Sequence, residues 1–418
     1  MEFSLNPTQM MIQQMVRKFA VSEVKPTAAD TDETAVFPWE NVRKMQRYGL
    51  MGMNMPVEVG GAGADDISYV IAVEELSKVC ATTGVILSAH NSLFCDPLFK
   101  FGSPEQQAQY LRPAASGQKL GAFALTEPNA GTDAASQVTR AVKVENGYRL
   151  NGTKIFITNA GEADYYVIFG MTDASKGTRA VKVEKGYRLN GTKIFITNAG
   201  EADYYVIFGM TDASKGTRGI SAFILEKGWE GFSFGRVEEK MGIHGSSTRE
   251  LIFRDVFVPE ENRLGQEGEG FKIAMVTLDG GRIGIAAQAV GIAQGALDET
   301  IGYIKQREQF KRPISQFQAV QFTVADMQTQ TSAARLLTYQ AADAKTRGLP
   351  YSNLAAMAKL FASETAGFVT NKAVQLHGGY GYTREYPVER MMRDAKITEI
   401  YEGTSEVQRM VIASHAIG

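Results

Sequence analysis

Cysteine is scarce in this chain of 418 residues, and the scarcity limits what the protein can be. Its two cysteines, Cys80 and Cys95, lie in separate apolar segments, with no CxxC pattern and no cluster of histidines. A disulfide framework needs paired thiols and a zinc site needs closely spaced ligands, so neither is expected. We predict no metal site and a reducing, cytoplasmic compartment.

Excess charge and long apolar runs are also missing. The chain has 44 Lys and Arg residues against 46 Asp and Glu, a formal charge of -2, and the charges are scattered. No basic face is present for nucleic acid or an anionic membrane. The longest weakly polar run, residues 283–297, is interrupted by glutamines and is shorter than the roughly 20 residues that span a bilayer. The first residues, MEFS, do not resemble a signal peptide. We expect a soluble protein without nucleic-acid or membrane partners.

The chain divides into three regions by its residue patterns. Up to about residue 117 the apolar residues recur at helical spacing, as in residues 66–79. Residues 118–266 carry short β-branched and aromatic runs separated by Gly, Asn and Asp, which is typical of strands. Helical spacing returns over residues 267–418. These patterns predict an α+β multidomain protein with helical domains at 1–117 and 267–418 on either side of a β domain at 118–266.

The β region contains a tandem repeat. Residues 140–178 recur as residues 179–217, and the only mismatch is Asn146 against Lys185. Two copies are too few for a solenoid, so near-identity indicates a recent or artificial duplication. Removing one copy of 39 residues from 418 leaves 379.

A β domain of fixed strand number cannot pair both copies around one site. We therefore expect one copy to form the domain and the other to be extruded as a poorly packed excursion. The first copy is preferred because Asn146-Gly147 suits a tight hairpin turn better than Lys185-Gly186. A crossover from one copy to the other stays open.

Glu402 lies on a Tyr-Glu-Gly-Thr turn before a helix-like run. A carboxylate on such a turn can reach into a pocket as a base, while neighbouring backbone N–H groups bind an oxyanion. The alternative is an ordinary helix start, in which Gly403, Thr404 and Ser405 supply the cap and Glu406 is a favourable acid of the first turn. The turn alone does not decide between the two interpretations.

Two segments of the β region are candidate binding elements. FALTEPNAGTD, residues 123–133, ends a strand in a loop whose free amides could hold a phosphate or a heterocycle; the alternative is a surface turn. KIFITNAG, which begins at Lys154 and again at Lys193, places an aromatic residue and a threonine on one strand face. Its alternative is a core aromatic residue beside a satisfied hydroxyl group.

Two segments of the C-terminal region also stand out. The sequence DGGR, residues 279–282, interrupts an apolar helix, and charge there needs a partner or an anionic, nucleotide-bearing ligand. QLHGGYG, residues 375–381, is a glycine-rich turn after a helix, without the strand-turn-helix setting of a dinucleotide fingerprint. Within it His377 is interpreted as a turn or interface residue rather than a metal ligand.

In this order and spacing, the segments resemble the acyl-CoA dehydrogenase family, in particular its short-chain or butyryl-CoA branch. The resemblance includes TLDGGRIGIAAQ, REQFKRPISQFQ and KITEIYEGTSEVQR, and it covers nearly the whole chain apart from the extra repeat. It implies an N-terminal helical domain, a middle β-barrel or sandwich-like domain and a C-terminal four-helix-bundle domain. It also implies bound FAD and a homotetramer built as a dimer of dimers.

The resemblance assigns roles by position. Glu402 is the implied catalytic base. The implied substrate-binding residues are Thr132, Asp279, Gly280, Gly281, Arg282 and Gly403. The implied FAD-binding residues are Phe123, Leu125, Thr126, Gly131, Thr132, Phe156, Ile157 and Thr158, with Thr404 and Glu406 closing the site. Further FAD contacts across a subunit boundary are implied for Arg307, Gln309, Phe310, Gln318, Gln375, Gly378 and Gly379. The repeat leaves open whether Phe195 and Thr197 replace Phe156 and Thr158.

The implied reaction is α,β-dehydrogenation of an acyl-CoA to a trans-2-enoyl-CoA, a step of fatty-acid β-oxidation. Glu402 takes the α-proton, the β-hydride passes to flavin N5, and an electron-transferring flavoprotein takes the electrons. Glycine at position 281 with glutamate at 402 indicates the short- and medium-chain type. Butyryl-CoA is the preferred substrate and a branched acyl chain stays open. The alternatives are an acyl-CoA oxidase or flavin monooxygenase of the same fold, or a flavin-free scaffold disabled by the duplication.

Overall fold

The computed structural model describes residues 4–125, 140–144, 147–154, 165–168, 181–183, 186–197, 204–210, 213–246 and 248–418. For the strands between residues 140 and 210 it describes the backbone. The predicted order of helical, β and helical regions is confirmed.

The N-terminal region is helical because apolar residues recur at helical spacing between well-formed caps. Asp65 caps the helix of the 66–79 pattern by accepting a hydrogen bond from Ser68 N at 2.7 Å. Three short π-helical segments, Ala20–Val24, Ala89–Cys95 and Gln107–Leu111, link neighbouring helices. The α-helices are α1 (Pro7–Phe19), α2 (Ala28–Thr34), α3 (Trp39–Arg47), α4 (Asp66–Ser77), α5 (Ala81–Ser88), α6 (Asp96–Phe101), α7 (Pro104–Gln106) and α8 (Arg112–Ala115).

The middle region folds into two sheets. The strands are β1 (Gly121–Ala124), β2 (Arg140–Val144), β3 (Gly147–Lys154), β4 (Tyr165–Ile168), β5 (Val181–Val183), β6 (Gly186–Thr197), β7 (Tyr204–Met210), β8 (Ile220–Glu226), β9 (Phe232–Val237), β10 (Thr248–Pro259) and β11 (Arg263–Leu264). One sheet has the order β1-β4-β8-β11, with β7 also on β8; the other has the order β5-β6-β2-β3-β10-β9.

Strands from both copies of the repeat lie in these sheets. β3 of the first copy and β6 of the second both pair with β10, so that Val256 is opposite both Leu150 and Leu189. In the same way β4 and β7 both pair with β8. The expectation that one copy is extruded from the sheets is therefore wrong for the described backbone. The physical reason is that equivalent sequences present the same pattern to the same partner strand.

The C-terminal region is built on one long helix. Its α-helices are α9 (Gly270–Gln306), α10 (Gln318–Thr346), α11 (Ser352–His377), α12 (Val388–Ile397) and α13 (Ser405–Ile417), and a small hairpin joins β12 (Glu308–Gln309) to β13 (Arg312–Pro313). α9 packs against α4, α10 and α11. Its buried residues are largely alanine, glycine and isoleucine, which let the neighbouring helices approach closely.

The sequence DGGR does not interrupt α9. The helix runs through residues 279–282 without a break, so the interpretation of this segment as a helix breaker is wrong. Each glycine in a helix interior costs only about 1 kcal/mol relative to alanine. Close packing offsets this loss, because Gly281 and Gly284 each lie where a Cβ atom would overlap a neighbouring side chain.

We predict that one copy of the repeat is sufficient for folding. Every β10 position that pairs with β6 over residues 256–258 also pairs with β3, so deleting residues 179–217 leaves these positions a partner. The shortened chain should have a higher melting temperature and soluble yield, because a second strand no longer competes with β3 for the same positions of β10, and it should retain FAD.

The reciprocal deletion of residues 140–178 is a matched control. The two shortened chains differ at one residue, Asn146 in one and Lys185 in the other. The chain that keeps Asn146-Gly147 should melt at the higher temperature, since this pair favours a tight hairpin turn. Loss of folding or of flavin in both shortened proteins would contradict the prediction.

Candidate active site

Glu402 lies on a strained turn between α12 and α13. Glu402 and Gly403 both have left-handed backbone angles, with φ of 53° and 94°. The left-handed conformation costs roughly 1–2 kcal/mol for a residue other than glycine, so surrounding contacts must hold the turn. Gln408 Nε2 donates to the Glu402 and Gly403 carbonyls at 3.2 and 2.8 Å, and Lys359 Nζ donates to the Gly403 carbonyl at 2.8 Å.

The helix-start interpretation is confirmed for the residues that follow Glu402. Thr404 caps α13 by accepting a hydrogen bond from Val407 N at 3.4 Å. Glu406 is exposed in the first turn, and hydrogen bonds from the Thr404 side chain and from its own backbone lower its pKa. The cap therefore uses Thr404 and Glu406, while the preceding turn leaves Glu402 free for another role.

The Glu402 carboxylate points into the protein. Its Oε2 atom is buried and has no hydrogen-bond partner among the described residues. Burial raises the pKa of the carboxyl group to about 8, and the positive charges of Lys359 and Arg282 oppose this rise. The Glu402 backbone N–H likewise has no acceptor within the described parts of the chain. A buried base and a free amide donor thus lie on one residue.

One face of α9 lines this carboxylate. A Cβ atom at Gly281 would overlap Glu402 Oε2 and would lie 2.6 Å from Leu93 Cδ2, so glycine is required there. One turn farther along α9, Gly284 lies against the hydroxyl groups of Ser88 and Tyr69. The spacing of three residues keeps both glycines on the same helix face.

The next position on this face is closed by Gln288. Its amide nitrogen donates to the Ala81 carbonyl at 3.1 Å, and its amide oxygen accepts a hydrogen bond from the Tyr401 hydroxyl. Val85, Ile243 and Ile285 form a small apolar cluster against which Tyr401 packs. The space beyond Gly281 along α9 is thus filled within two helical turns.

Arg282 and Asp279 form an ion pair with an N–O distance of 2.6 Å. The local ion pair considered for this segment is therefore present. Burial nevertheless lowers the pKa of the Arg282 guanidinium, and its Nε atom has no hydrogen-bond partner among the described residues. Arg282 can therefore still donate to a ligand. Gly280 faces away from Glu402, toward Asp96 and Lys345.

Phe123 and Leu125 reach the site through one apolar cluster. Both are buried at the end of β1, and the cluster includes Leu93 and Leu98. Leu93 also contacts the Gly281 position beside Glu402. The other FAD-binding residues predicted in the β region belong to residues 123–133, called the flavin loop below, and to the first KIFITNAG segment. They lie outside the described residues: Thr126, Gly131, Thr132, Phe156, Ile157 and Thr158. Phe195 and Thr197 lie in β6, whose backbone alone is described.

A second candidate site is a pocket of about 490 Å³ at the end of α11. Five of the seven residues expected at the subunit boundary line it: Arg307, Gln309, Gln375, Gly378 and Gly379. The structure does not place the other two in this pocket. Phe310 is 88% exposed at the tip of the β12–β13 hairpin, and Gln318 is exposed at the start of α10.

The pocket suits the nucleotide part of FAD. The Arg307 guanidinium can pair with a phosphate, and the amide groups of Gln309 and Gln375 can hydrogen-bond to polar edges. Among the described residues, no atom beyond the adjoining chain lies within 4 Å of an added Cβ at Gly378 or Gly379, so the backbone there faces open space. The donor set therefore fits an anionic, heterocyclic group.

His377 is predicted to be a turn or interface residue, and the structure places it buried at the C-terminal end of α11, where it packs within the chain. Its ring stacks on Tyr303 with a centroid distance of 4.2 Å, and its Nδ1 atom is 2.8 Å from the Ala373 carbonyl. In the described parts of the chain, no group of three or more His, Cys, Asp or Glu side chains could hold a metal ion.

Several residues of the site were not identified from the sequence. Lys359, Gln408 and Leu93 all contact the Glu402 turn or the Gly281 position. Only Lys359 carries a signal in the sequence, since it is a charged residue within the small and apolar run AAMAKLFA. Gln408 and Leu93 follow ordinary helical patterns and become recognisable only through their contacts.

Sequence models place the whole chain in one class of flavoenzyme. The model described as "Acyl-CoA dehydrogenase, C-terminal domain" matches residues 268–417, and the N-terminal domain model matches residues 6–118. The middle domain model matches twice, over residues 122–184 and 169–256, as expected for a duplicated segment. The chain belongs to the acyl-CoA dehydrogenase family, whose members are FAD-dependent oxidoreductases.

The similar proteins include short-chain enzymes. The "Acyl-CoA dehydrogenase, short-chain specific" of Clostridium acetobutylicum is 56% identical over 413 residues, which cover 99% of each chain. The "Acryloyl-CoA reductase (NADH)" of Anaerotignum propionicum is 48% identical over 99% of this chain and 95% of its own.

Solved structures share the fold over the full chain. Butyryl-CoA dehydrogenase from Megasphaera elsdenii has a TM-score of 0.89 at 46% identity, with complete coverage of both chains. A structure described under the electron transferring flavoprotein of Acidaminococcus fermentans has a TM-score of 0.89 at 51% identity, also with complete coverage. An FAD complex of PigA has a TM-score of 0.87 at 28% identity, covering 100% of this chain and 99% of its own.

The predicted family and fold are thereby confirmed. Among the described residues, no helix is long and apolar enough to cross a membrane.

We predict that Glu402→Gln stabilises the protein increasingly as the pH rises. The folded-state pKa of about 8 lies above the ordinary value of 4.5, so between these values the folded state keeps a proton that the unfolded chain has lost. Stability from this group is complete at low pH and declines by up to about 1.4 kcal/mol per pH unit across the window. Glutamine does not titrate. The difference in melting temperature between variant and unaltered protein should widen from about pH 5 to about pH 8.

Glu406→Gln is the matched control, because Glu406 is exposed and its pKa is lowered. Its melting-temperature difference should stay flat over the same window. Parallel curves for the two variants would contradict the burial of the Glu402 carboxyl group.

Proposed function

We propose that the protein oxidises a short-chain acyl-CoA to the trans-2-enoyl-CoA, with Glu402 as the base that removes the α-proton. The observation that carries this proposal is the buried, unpaired carboxylate of Glu402 facing Gly281 on α9. The short-chain and butyryl-CoA relatives support the substrate class.

The α-proton of a thioester is weakly acidic, so the base must be strong and the developing enolate oxygen must be stabilised. Burial supplies the first requirement, because it raises the pKa of Glu402 to about 8, close to the working pH of a general base. The free backbone N–H of Glu402 supplies a donor for the second. Closure of the pocket over the substrate excludes water and strengthens both effects.

The chain's residues orient the cofactor and the substrate on two sides. A bound FAD supplies the acceptor for the β-hydride. Phe123 and Leu125 form an apolar wall that continues through Leu93 to Gly281, and the pocket at Arg307 holds the nucleotide end. Arg282 is paired with Asp279, its positive charge acts on the Glu402 carboxylate, and its unpaired Nε can contact the substrate. Thr132 is proposed to contact it from the flavin loop.

The acyl group is proposed to be short and straight, with butyryl-CoA preferred. Along α9 the space beyond Gly281 is occupied by Ser88 and Tyr69, and then by the Gln288–Tyr401 pair. A branched acyl chain of similar length is the second candidate for this pocket.

The proposed partners are an electron-transferring flavoprotein and further copies of the same chain. The exposed Phe310 at the hairpin tip supports the second, because an aromatic side chain that is 88% exposed is suited to an interface. Phe310 and Gln318 would then contact the FAD of a neighbouring subunit, and the pocket at Arg307 would lie at the same boundary. We also propose a cytoplasmic location, which suits the two buried free thiols of Cys80 and Cys95.

Because one relative is named an acryloyl-CoA reductase, reduction of an enoyl-CoA, the reverse of the proposed reaction, is the second candidate. An oxidase is distinguished by the reaction of the reduced enzyme with air. Rapid stoichiometric peroxide indicates an oxidase, whereas slow reoxidation indicates electron transfer to a protein partner.

We expect Glu402→Gln to slow the anaerobic bleaching of the flavin by butyryl-CoA by at least about 100-fold, because the amide cannot accept the α-proton. FAD should remain bound, as shown by the visible spectrum. Glu364→Gln is the matched control, since this exposed carboxylate pairs with Arg409 on α13 away from the turn. Near-normal bleaching in Glu402→Gln would place the base elsewhere.

We expect kcat/KM to be highest for acyl groups of about four or five carbons and to fall by eight carbons. Longer chains would meet the Gln288–Tyr401 pair. Gln288→Ala should shift the optimum to longer chains, as measured with a series of straight-chain acyl-CoA substrates. A profile of the unaltered protein that rises through octanoyl-CoA would refute the assignment of the pocket end.

A further inference from the structure

Lys359 is a buried cation whose position is not explained by hydrogen bonding alone. It lies in α11 among small and apolar residues and is fully buried. Its Nζ atom donates to the Gly403 carbonyl at 2.8 Å. Gln408 Nε2 donates to the same carbonyl at the same distance of 2.8 Å. A neutral amide already satisfies this acceptor, whereas burying an ammonium group is costly. Burial accordingly lowers the pKa of the Lys359 ammonium group to about 8, so its protonated form depends on a negative charge nearby.

The charged groups around Lys359 identify Glu402 as that partner. Within the described residues Lys359 takes part in no ion pair at contact distance, and its Nζ atom is hydrogen-bonded to Gly403, the residue next to Glu402. Burial lowers the pKa of Lys359, and among the neighbouring charges the Glu402 carboxylate opposes this most strongly. Arg282 on α9 is the other cation near Glu402, but it is already paired with Asp279 at 2.6 Å. Glu399 and Glu406 act on Lys359 more weakly.

The remaining titratable groups near Glu402 stay neutral. Burial raises the pKa of the Tyr69 hydroxyl to about 12 and also raises that of Tyr401. Two cations lower the pKa of the Glu402 carboxyl group, and the effect of Lys359 is larger than that of Arg282. Of these two cations, Arg282 is paired with the Asp279 carboxylate, whereas Lys359 has no described carboxylate in contact with it.

We propose that Lys359 is a positioning residue that holds the Glu402 turn and keeps the buried carboxylate ionisable, and hence available as a base. This inference rests on the proposed function, in which Glu402 accepts the α-proton. Lys359 acts through Glu402 and does not contact the reacting carbon atoms. Its ammonium group compensates part of the burial that makes the carboxylate basic. Without this compensation the pKa of the carboxyl group would rise further above its value of about 8, and the ionised fraction available as a base at neutral pH would fall.

The first test is the pH profile of kcat/KM for butyryl-CoA in Lys359→Met. Loss of the positive charge should move the acid limb of the profile upward by about 1 pH unit, since an opposite charge at short range shifts a carboxyl pKa by about that amount or more. Activity lost near neutral pH should return at higher pH. Lys359→Arg restores the charge and should return the limb toward its original position. An unmoved limb with a uniform loss of rate would overturn the proposal.

Lys240→Met is the matched control. Lys240 is also largely buried and donates to a backbone carbonyl, that of Ser246, at 2.7 Å, but it faces Asp394 and Glu238 instead of Glu402. Its removal should lower the melting temperature without moving the acid limb. A limb that moves equally in both variants would show a general effect of instability and would overturn the proposal.

The second test does not depend on activity. Melting temperatures are measured for Lys359→Met, Glu402→Gln, the double variant and the unaltered protein at about pH 6 and about pH 8. At the higher pH the loss caused by Lys359→Met should be smaller in the Glu402→Gln background, because the charge interaction is already absent there. At the lower pH the two losses should converge, since the carboxyl group is protonated. Equal losses at both pH values would leave Lys359 a purely structural role and overturn the inference.

The two tests separate this inference from the proposed function. If the unaltered protein does not oxidise butyryl-CoA while the stability cycle shows coupling, the proposed function fails and the charge interaction stands. If Glu402→Gln abolishes flavin reduction but the cycle shows no coupling, the base is correct and the role of Lys359 is wrong.

Discussion

The burial of one carboxylate, that of Glu402, is the constraint on which the rest of the site depends. Removing a carboxylate from water is unfavourable unless it is neutralised or compensated, and the raised pKa of Glu402 is the direct consequence. The same burial demands glycine at position 281, because any side chain there would occupy the place of the carboxylate. The left-handed turn also needs stabilising contacts, and Gln408 and Lys359 supply them through hydrogen bonds to its carbonyl groups. The proposed catalytic base is thus held in an unfavourable conformation and environment that contacts from the surrounding helices stabilise.

α9 connects this local chemistry to the fold. Its small residues allow close packing against α4, α10 and α11, and the same smallness opens the space beside Glu402. Core packing and the geometry of the site therefore both require small residues on α9. For this reason a glycine pair that is unfavourable by helix propensity is tolerated in its interior. Propensity differences of about 1 kcal/mol are outweighed by the close approach of neighbouring elements.

These energies explain what could be predicted from the sequence. The order of helical and β regions follows from residue spacing, and the position of Glu402 before a capped helix follows from the Tyr-Glu-Gly-Thr turn. The continuity of α9 through residues 279–282 could not be predicted from local signals, because it depends on tertiary packing. Lys359 could not be identified for a similar reason, since Gly403, whose carbonyl group it bonds to, is 44 positions away in the sequence and comes close only through the packing of α11 against the turn. The placement of both repeat copies in the sheets does not follow from strand number, because it depends on the equivalent register of the two copies on one partner strand.

Among the described residues, the duplicated segment contributes none to the surroundings of Glu402. Glu402, Gly281, Arg282 and Lys359 all lie in the C-terminal helices, and Leu93, Ser88 and Tyr69 come from the N-terminal ones. None of these residues belongs to residues 140–217. The described part of the site around the Glu402 carboxylate is therefore formed without any residue of the repeat. The repeat instead supplies candidate strands for the flavin side. Over residues 256–258 of β10, β3 and β6 pair through equivalent residues, so this part of the sheet does not distinguish the two copies. The basicity of Glu402 is therefore set by the helices around it and does not depend on which copy of the repeat is retained.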